Sequence, residues 1–287
     1  MLRDSVGGLS AGVVGTVIGY PLDTIKTRMQ TGAAGGAANH SLFAIGRRIA
    51  VEEGVRGFYK GVATPLVSLT ILNTLNFTSY NYFKRAFEGD GGTVGGLVKC
   101  FASGALAGPI ASAVSTPEHM MKTQMQIDNT RKGGAIFKNG AFDAAAQIVR
   151  ARGFGALYVG HASNTLREGV FLGVYFSSYE AARRALPESK ASIPIAGGLA
   201  GALGWVISYP LDCIKANIQG AAFTDGAAAT ARSSPSILTA GKHILAQRGI
   251  SGLYSGLKPS LIRAFLVSGS RFSAFEGGLW ICEQYGI

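Results

Sequence analysis

Charged side chains are scarce in this chain. Asp, Glu, Lys and Arg make up 15% of the 287 residues, whereas hydrophobic residues make up 47% and glycine alone contributes 41 positions. The few charges are unbalanced, with 27 Lys and Arg against 16 Asp and Glu, and the basic residues are scattered along the chain. A nucleic-acid-binding protein would concentrate them on one polar face. The composition therefore favours a membrane protein with basic loops near anionic lipid, and no nucleic-acid partner.

Cysteine and histidine are also rare, and neither is clustered. The three cysteines, Cys100, Cys213 and Cys282, show neither CxxC nor zinc-ligand spacing, so we expect no disulfide framework and no metal site. The four histidines form no group in the sequence. No nucleophile with a nearby base and no phosphate-binding loop can be recognised. The sequence therefore predicts neither an enzyme nor a cofactor.

A leader segment is the third feature that the sequence lacks. The first apolar segment begins only a few residues after Met1, which leaves no room for a cleavable signal or transit peptide. We therefore expect a protein that is imported through internal signals and has no cleavable presequence.

A threefold repeat is what the chain does contain. The motif Pro21-Leu-Asp-Thr-Ile-Lys returns as Pro210-Leu-Asp-Cys-Ile-Lys and more loosely as Pro117-Glu-His-Met-Met-Lys, with the prolines 96 and 93 residues apart. Each motif is preceded by two glycines at small-xxx-small spacing, which lets apolar helices approach closely. These are the pairs Gly8 and Gly12, Gly104 and Gly108, Gly197 and Gly201. The period predicts three repeats, residues 1–90, 91–189 and 190–287, in one domain.

Each repeat predicts two long helices and one short amphipathic helix. The long helices are expected near residues 6–30, 61–86, 97–126, 160–184, 193–219 and 256–280. The short ones, with apolar and basic residues interleaved, are expected near residues 42–53, 139–151 and 236–247. Because about 20 apolar residues cross a bilayer, every long helix can span it. The fold class is thus an all-α membrane protein with six transmembrane helices and three short interface helices.

These motifs resemble those of the mitochondrial carrier family. The resemblance rests on Pro-x-Asp-x-x-Lys at a period of about a hundred residues, each copy followed by an aromatic-x-Gly and a second apolar segment, and it covers nearly the whole chain. It implies a threefold pseudosymmetric bundle around a central cavity, multi-pass in the inner mitochondrial membrane, with the motifs and interface helices on the matrix side. It also implies a small-molecule substrate and bound membrane lipid, with cardiolipin at the matrix side.

The resemblance gives the motif charges a role as a matrix gate. The gate residues are Asp23, Lys26, His119, Lys122, Asp212 and Lys215, braced by Gln30, Gln126 and Gln219. Asp23 is expected to pair with Lys122, and Asp212 with Lys26. His119 stands where the family has an acid and would face Lys215. We therefore expect two ionic links out of three.

A second gate, on the cytoplasmic side, resembles the pattern aromatic-acid-x-x-base. Its expected members are Asn81, Lys84, Glu180, Arg183 and Glu276. The pattern is complete only in the second repeat, and Glu276 with Lys84 is the one pairing between repeats that keeps both partners. Exposed ion pairs contribute only about 0.2–1 kcal/mol each, so the missing ones shift the balance away from cytoplasmic-side closure.

Three equivalent positions on the even helices indicate the substrate site. They are Ser68, Arg167 and Arg263, and Arg167 is followed by Glu168. An arginine at the bilayer centre costs about 2.5–3.5 kcal/mol, so such residues are functional candidates. Two arginines and a glutamate would hold a zwitterion, with carboxylate on arginine and ammonium on glutamate. The alternative is that Arg167 and Glu168 only satisfy each other or the backbone.

The cargo is predicted from the segment 166–180, which resembles the amino-acid and carnitine/acylcarnitine branch. Basic amino-acid carriers of that branch have an acid where this chain has Leu72, so a neutral amino acid or a carnitine ester is expected, moved by antiport or uniport with alternating access. The competing hypothesis is an accessory subunit of a larger respiratory membrane complex. It rests on the gate departures at Asn81, His119 and Leu279.

Overall fold

The described chain is almost entirely helical. A computed structural model describes residues 2–31, 41–87, 93–128, 136–137, 140–187, 192–222, 236–263 and 266–267, and no β-strand occurs within these ranges. The α-helices are α1 (Leu2–Thr31), α2 (Leu42–Glu52), α3 (Gly54–Phe58), α4 (Ala63–Ala86), α5 (Thr93–Ile127), α6 (Ala141–Arg152), α7 (His161–Ala185), α8 (Ser192–Ala221) and α9 (Ile237–Leu253). A 3-10 turn covers Phe154–Tyr158, and a further helical stretch covers residues 257–263.

Helices occur at the positions that the repeat predicts. The long helices α1, α4, α5, α7 and α8 and the short helices α2, α6 and α9 each overlap a predicted element. The predicted helix 256–280 is described only over residues 257–263 and 266–267, so most of it lies outside the described residues. The short helix α3 and the 3-10 turn were not predicted. Helix α3 begins at Gly54 (φ 68), and the 3-10 turn directly follows Gly153 (φ 79). A side chain would be strained at either positive φ.

Membrane crossing is supported less evenly than helix formation. By length and composition, one helical segment in the described ranges, Gly95–Ile127, is apolar enough to span a bilayer. Other long helices dilute their apolar residues with polar ones, as α4 does with its threonines, serines and asparagines. Polar side chains in a spanning helix usually face protein or a wet cavity, and they lower its apolarity. The expected set of six transmembrane helices therefore stays a prediction.

The first of two compact units comprises residues 1–69, 121–153 and 255–287. Its core includes Ile25 of α1 with Ile45 and Ile49 of α2, the buried face of a short amphipathic helix. Ser41 caps α2, since its side chain accepts a hydrogen bond from the backbone N–H of Ala44 at 3.2 Å. Polar bonds add to this packing, because the Thr24 hydroxyl and the Tyr20 hydroxyl donate to the carbonyls of Phe58 and Lys60. The end of α1 is thereby fixed against the chain that follows α2.

The second unit comprises residues 70–120 and 154–254, and in it α5 packs very closely on α7. A Cβ built on Gly104 would lie 2.5 Å from the carbonyl oxygen of Leu172, and one on Gly108 would collide with the backbone of Gly169. The small-xxx-small prediction therefore describes a real backbone contact in the second repeat. In the third repeat the glycine pair makes no such contact among the described atoms, since a Cβ on Gly197 or Gly201 would meet none of them within 4 Å.

We expect Gly104→Ala to destabilise the protein by about 1–3 kcal/mol, because the methyl group has only rigid backbone to displace. The matched control is Gly95→Ala on the same helix, where a Cβ would meet no described atom within 4 Å. That variant should be as stable as the wild type or slightly more stable, because alanine favours helix. Thermal unfolding in detergent, followed by intrinsic fluorescence, measures both variants. Equal melting temperatures for the two would contradict the close packing of α5 on α7.

Candidate functional site

Arg167 and Glu168 lie buried together on α7 in the second unit. Their side chains are 7% and 10% exposed, and Arg167 forms an ion pair with Glu168. The Arg167 Nε atom also lies 3.9 Å from Asp212 Oδ1 on α8, too far for a hydrogen bond, and it has no hydrogen-bond acceptor in the described ranges. The two charges thus satisfy each other only in part. One guanidinium N–H group remains available to an anion.

Uncharged polar side chains of α5 and α7 form a series of hydrogen bonds that ends at Glu168. Asn164 donates from Nδ2 to the hydroxyl oxygens of Ser115 and Thr116, both at 2.9 Å. The Ser115 hydroxyl donates to Glu168 Oε1 at 3.4 Å. The Thr116 hydroxyl oxygen lies 3.0 Å from His161 Nδ1. Five side chains on two helices thereby form one continuous network, which is buried except at the half-buried His161.

Sequence reasoning missed this network. Its signal was present, because Ser112, Ser115 and Thr116 fall at i, i+3 and i+4 in the otherwise apolar helix α5, which places them on one face. Asn164 precedes Arg167 by three residues and shares its face of α7 in the same way. A polar stripe in an apolar segment indicates a protein-facing surface, but its partners become known only from the packing of the two helices.

Asp23 contacts two basic side chains in the first unit. Its Oδ2 atom accepts a hydrogen bond from Lys122 Nζ at 2.7 Å, the pairing expected from the sequence. Its Oδ1 atom lies 2.6 Å from Arg263 Nε, a residue that the sequence assigned to the substrate. One gate carboxylate is therefore shared by a gate lysine and a candidate substrate arginine. The expected grouping of Arg263 with Arg167 around one cavity stays a prediction.

His119 contacts Lys215 in the second unit, as the alignment of the repeats suggested. The Lys215 Nζ atom lies 2.5 Å from His119 Nδ1. A lysine ammonium can only donate, so His119 Nδ1 is the acceptor of this bond. A hydrogen bond from a cation to an imidazole nitrogen thus stands where the family has an ion pair. The expected pairing of Asp212 with Lys26 stays a prediction.

The remaining expected members of the matrix gate and substrate site are placed as follows. The amide of Gln126 donates to the Thr24 hydroxyl at 3.3 Å, and that of Gln219 donates to the Val159 carbonyl at 3.4 Å. Gln30 is almost fully buried. Ser68 is buried with no hydrogen-bond partner for its hydroxyl in the described ranges, and Leu72 is half-buried.

The variant His119→Asp is expected to add a third ionic link at Lys215. A carboxylate adds charge–charge attraction to the hydrogen bond from the Lys215 ammonium, so the protein should gain about 1 kcal/mol of stability and exchange its cargo more slowly. The matched control is His243→Asp on α9, where the ring is exposed and bonds to Gln247. Melting temperature and exchange rate are measured for both variants. A less stable, faster His119→Asp protein would contradict the role given to this contact.

The cytoplasmic gate residues are only loosely paired in the second unit. Lys84 Nζ lies 4.0 Å from Glu180 Oε2, and Glu180 also contacts Arg184 one turn along α7 at 3.0 Å. Arg183 donates to the hydroxyl of Ser192 at 2.6 Å, and Asn81 is exposed. Glu276, the expected partner of Lys84, lies outside the described residues. These half-exposed contacts are weak, as the sequence suggested.

Two strong ion pairs in the first unit were given no role by the sequence reading. Arg28 forms an ion pair with Glu53, with side chains 4% and 8% exposed, and also donates from Nε to the Gln126 carbonyl at 2.9 Å. Asp128 is fully buried and accepts a hydrogen bond from Lys60 at 2.6 Å. Their burial and geometry are typical of pairs that fix local structure.

Comparison with known proteins decides the family. A family profile described as "Mitochondrial carrier protein" matches residues 1–91, 94–190 and 191–278. The chain belongs to the mitochondrial carrier protein family. It is therefore a carrier of solutes in mitochondria, and transport rather than an enzymatic reaction is the activity of such proteins. The boundaries expected between the three repeats stay a prediction.

Several relatives of this carrier are similar over nearly its whole length. The "Mitochondrial arginine transporter BAC2" of Arabidopsis thaliana is 34% identical over 96% of this chain and 90% of its own. The "Mitochondrial basic amino acids transporter" of Homo sapiens is 32% identical over 95% of this chain and 88% of its own. The "Mitochondrial magnesium exporter 1" of Drosophila melanogaster is 30% identical over 96% of this chain and 93% of its own.

Proposed function

We propose that this carrier transports an amino acid with a cationic side chain across the inner mitochondrial membrane by alternating access. The observation that carries the proposal is the buried group of Arg167, Glu168 and Asp212, with one guanidinium and two carboxylates. A basic amino acid has the complementary set, with one carboxylate and two cations. Charge complementarity of this kind selects a ligand and rejects those with the wrong charges.

The carboxylate and the ammonium group of the cargo each have a binding partner in this site. Its carboxylate would bind the Arg167 guanidinium, whose Nε–H group has no hydrogen-bond acceptor in the described ranges. Its ammonium would bind Glu168. A carboxylate on Arg167 competes with Asp212, which lies at 3.9 Å, for the same cation. Cargo binding would therefore weaken the attraction between Arg167 and the gate residue Asp212. This effect links occupancy of the site to opening of the matrix gate.

The sequence favoured a different cargo, and that remains the second candidate. Leu72 stands where basic amino-acid carriers have an acid, which favours a neutral amino acid or a carnitine ester. Asp212 offers a second carboxylate that Leu72 does not, and two of the similar proteins described above are named for arginine or basic amino acids. These two points support the basic cargo. The accessory-subunit hypothesis is not favoured, since relatives similar over 95–96% of the chain are named as transporters or as an exporter.

Exchange in liposomes tests the proposal. Purified protein is reconstituted with internal arginine, and uptake of labelled arginine is measured in competition with lysine, glutamine, carnitine, acetylcarnitine, ADP and Mg²⁺. We expect competition by lysine and unlabelled arginine, and little by the others. Competition by glutamine or carnitine as strong as by lysine would favour the second candidate. Absence of arginine exchange by folded protein would refute the basic cargo.

A further inference from the structure

Asn164 is fully buried, and its hydrogen bonds fix which way its amide points. Both N–H groups of Nδ2 are engaged, by the oxygens of Ser115 and Thr116. The single proton of Thr116 goes to the Ser112 carbonyl at 2.6 Å, and that of Ser115 goes to Glu168. A flipped amide would face these two oxygens with its own oxygen and find no proton there. The carbonyl oxygen of Asn164 is thus fixed as the group that points away from both hydroxyls.

That carbonyl oxygen has no hydrogen-bond donor in the described part of the chain, although it is buried. The hydroxyl of Ser163, the residue before it, is buried and unpartnered in the same ranges. A buried acceptor without a donor is costly, so a native structure tends to supply one from a ligand or water. The Asn164 side chain lies one helical turn before Glu168 on α7 and is joined to it through the single hydroxyl of Ser115.

We propose that Asn164 is a specificity-determining residue, and that its Oδ1 atom accepts a hydrogen bond from the α-ammonium group of the cargo while Glu168 balances the charge. This inference rests on the proposed transport of an amino acid. A primary ammonium has three N–H donors and can serve Glu168 and Asn164 together. A quaternary ammonium such as that of carnitine has none, and would leave the Asn164 oxygen buried and unpaired. The residue therefore selects amines that keep N–H donors over quaternary ones.

The three groups would meet the cargo in one step. Arg167, Glu168 and Asn164 are all buried, on one face of α7 within a stretch of five residues. Alternating access that exposes one of them to the cargo would expose its neighbours too. Arg167 then binds the carboxylate of the cargo, and Glu168 and Asn164 bind its ammonium group.

The test compares arginine with its Nα-trimethyl derivative as competitors of labelled arginine exchange in liposomes. In the wild type the trimethyl derivative should compete about tenfold more weakly than arginine or worse, the effect of one lost hydrogen bond to a charged group. In Asn164→Leu, arginine should lose that advantage while the trimethyl derivative competes as before. In Asn164→Gln, which keeps both the amide donor and an acceptor, the preference for the free amine should persist.

The control is Thr165→Val on the same helix, because its hydroxyl contacts Ser112 and not Glu168. It should leave the preference unchanged. An unchanged preference in a folded, transporting Asn164→Leu protein would overturn this inference and leave the proposed function standing. Loss of the preference in both Asn164→Leu and Asn164→Gln would assign Asn164 a purely structural role and also overturn it. Failure of the wild type to exchange arginine would overturn both proposals.

Discussion

The variant Arg167→Ala is expected to lose amino-acid exchange by about a hundredfold or more, because truncating one partner of a buried charge pair costs several kcal/mol. The substitution removes the group that would bind the cargo carboxylate. It also leaves Glu168 buried without the guanidinium that contacts it. Uptake of labelled arginine into loaded liposomes is the measurement, with the melting temperature as a check of folding.

Two further variants separate this role from a general effect of charge. Arg167→Lys keeps the charge but loses the planar fork of donors, so it should retain only part of the activity. Arg184→Ala, on the same helix, removes an exposed arginine that pairs with Glu180, and it should transport nearly as the wild type does. Full activity of Arg167→Ala, or equal losses in Arg167→Ala and Arg184→Ala, would contradict the substrate site proposed here.

The variant Asp23→Asn should have the second-largest effect. It removes the carboxylate that lies between Lys122 and Arg263 and leaves those two cations next to a neutral amide. Breaking a mostly buried ionic group of this kind costs about 3 kcal/mol. We expect a melting temperature lower by several degrees and loss of exchange, both measured on purified protein.

A charge swap tests whether Asp23 serves one partner or two. Asp23→Lys combined with Lys122→Asp would restore a simple ion pair. Because Arg263 Nε also lies 2.6 Å from Asp23, the swap places a new lysine beside that arginine. We therefore expect the double variant to remain inactive. Recovery of exchange in the double variant would show that Asp23 and Lys122 act as an isolated pair.

The helices and the motif contacts could be predicted because the repeat fixes them. A period of about a hundred residues aligns the three motifs, and spacing along a helix then decides which side chains share a face. That reasoning gave the positions of the long helices, the pairing of Asp23 with Lys122 and the contact of His119 with Lys215. Each depends on equivalent positions in successive repeats and on no detail of side-chain packing.

The contacts that could not be predicted depend on packing between helices that are not related by the repeat. Arg263 lies against Asp23 because of where the helical stretch 257–263 packs on α1, and one sequence contains no measure of that placement. The bonds of Asn164 require the rotation of α7 against α5, which the close contact at Gly104 fixes. Uncharged polar side chains can bond to many partners, so their sequence pattern marks a face without naming what it meets.

The cargo was the weakest sequence inference, because the choice of a neutral over a basic amino acid rested on the residue type at one position. Leu72 argues against a second cation on the cargo only if the balancing acid must come from that position. In the structure, Asp212 lies 3.9 Å from Arg167 and can contribute a carboxylate from a different helix. A missing charge in sequence is therefore weaker evidence than a charge whose neighbours are known.

The most direct test of the account compares arginine with agmatine as competitors of labelled arginine exchange. Agmatine has the same guanidinium and a primary amine but lacks the carboxylate. If Arg167 binds that carboxylate, agmatine should compete at least about a hundredfold more weakly than arginine. In Arg167→Ala the binding of arginine, followed by thermal shift, should fall to the level of agmatine. Equal competition by the two compounds in the wild type would contradict the account.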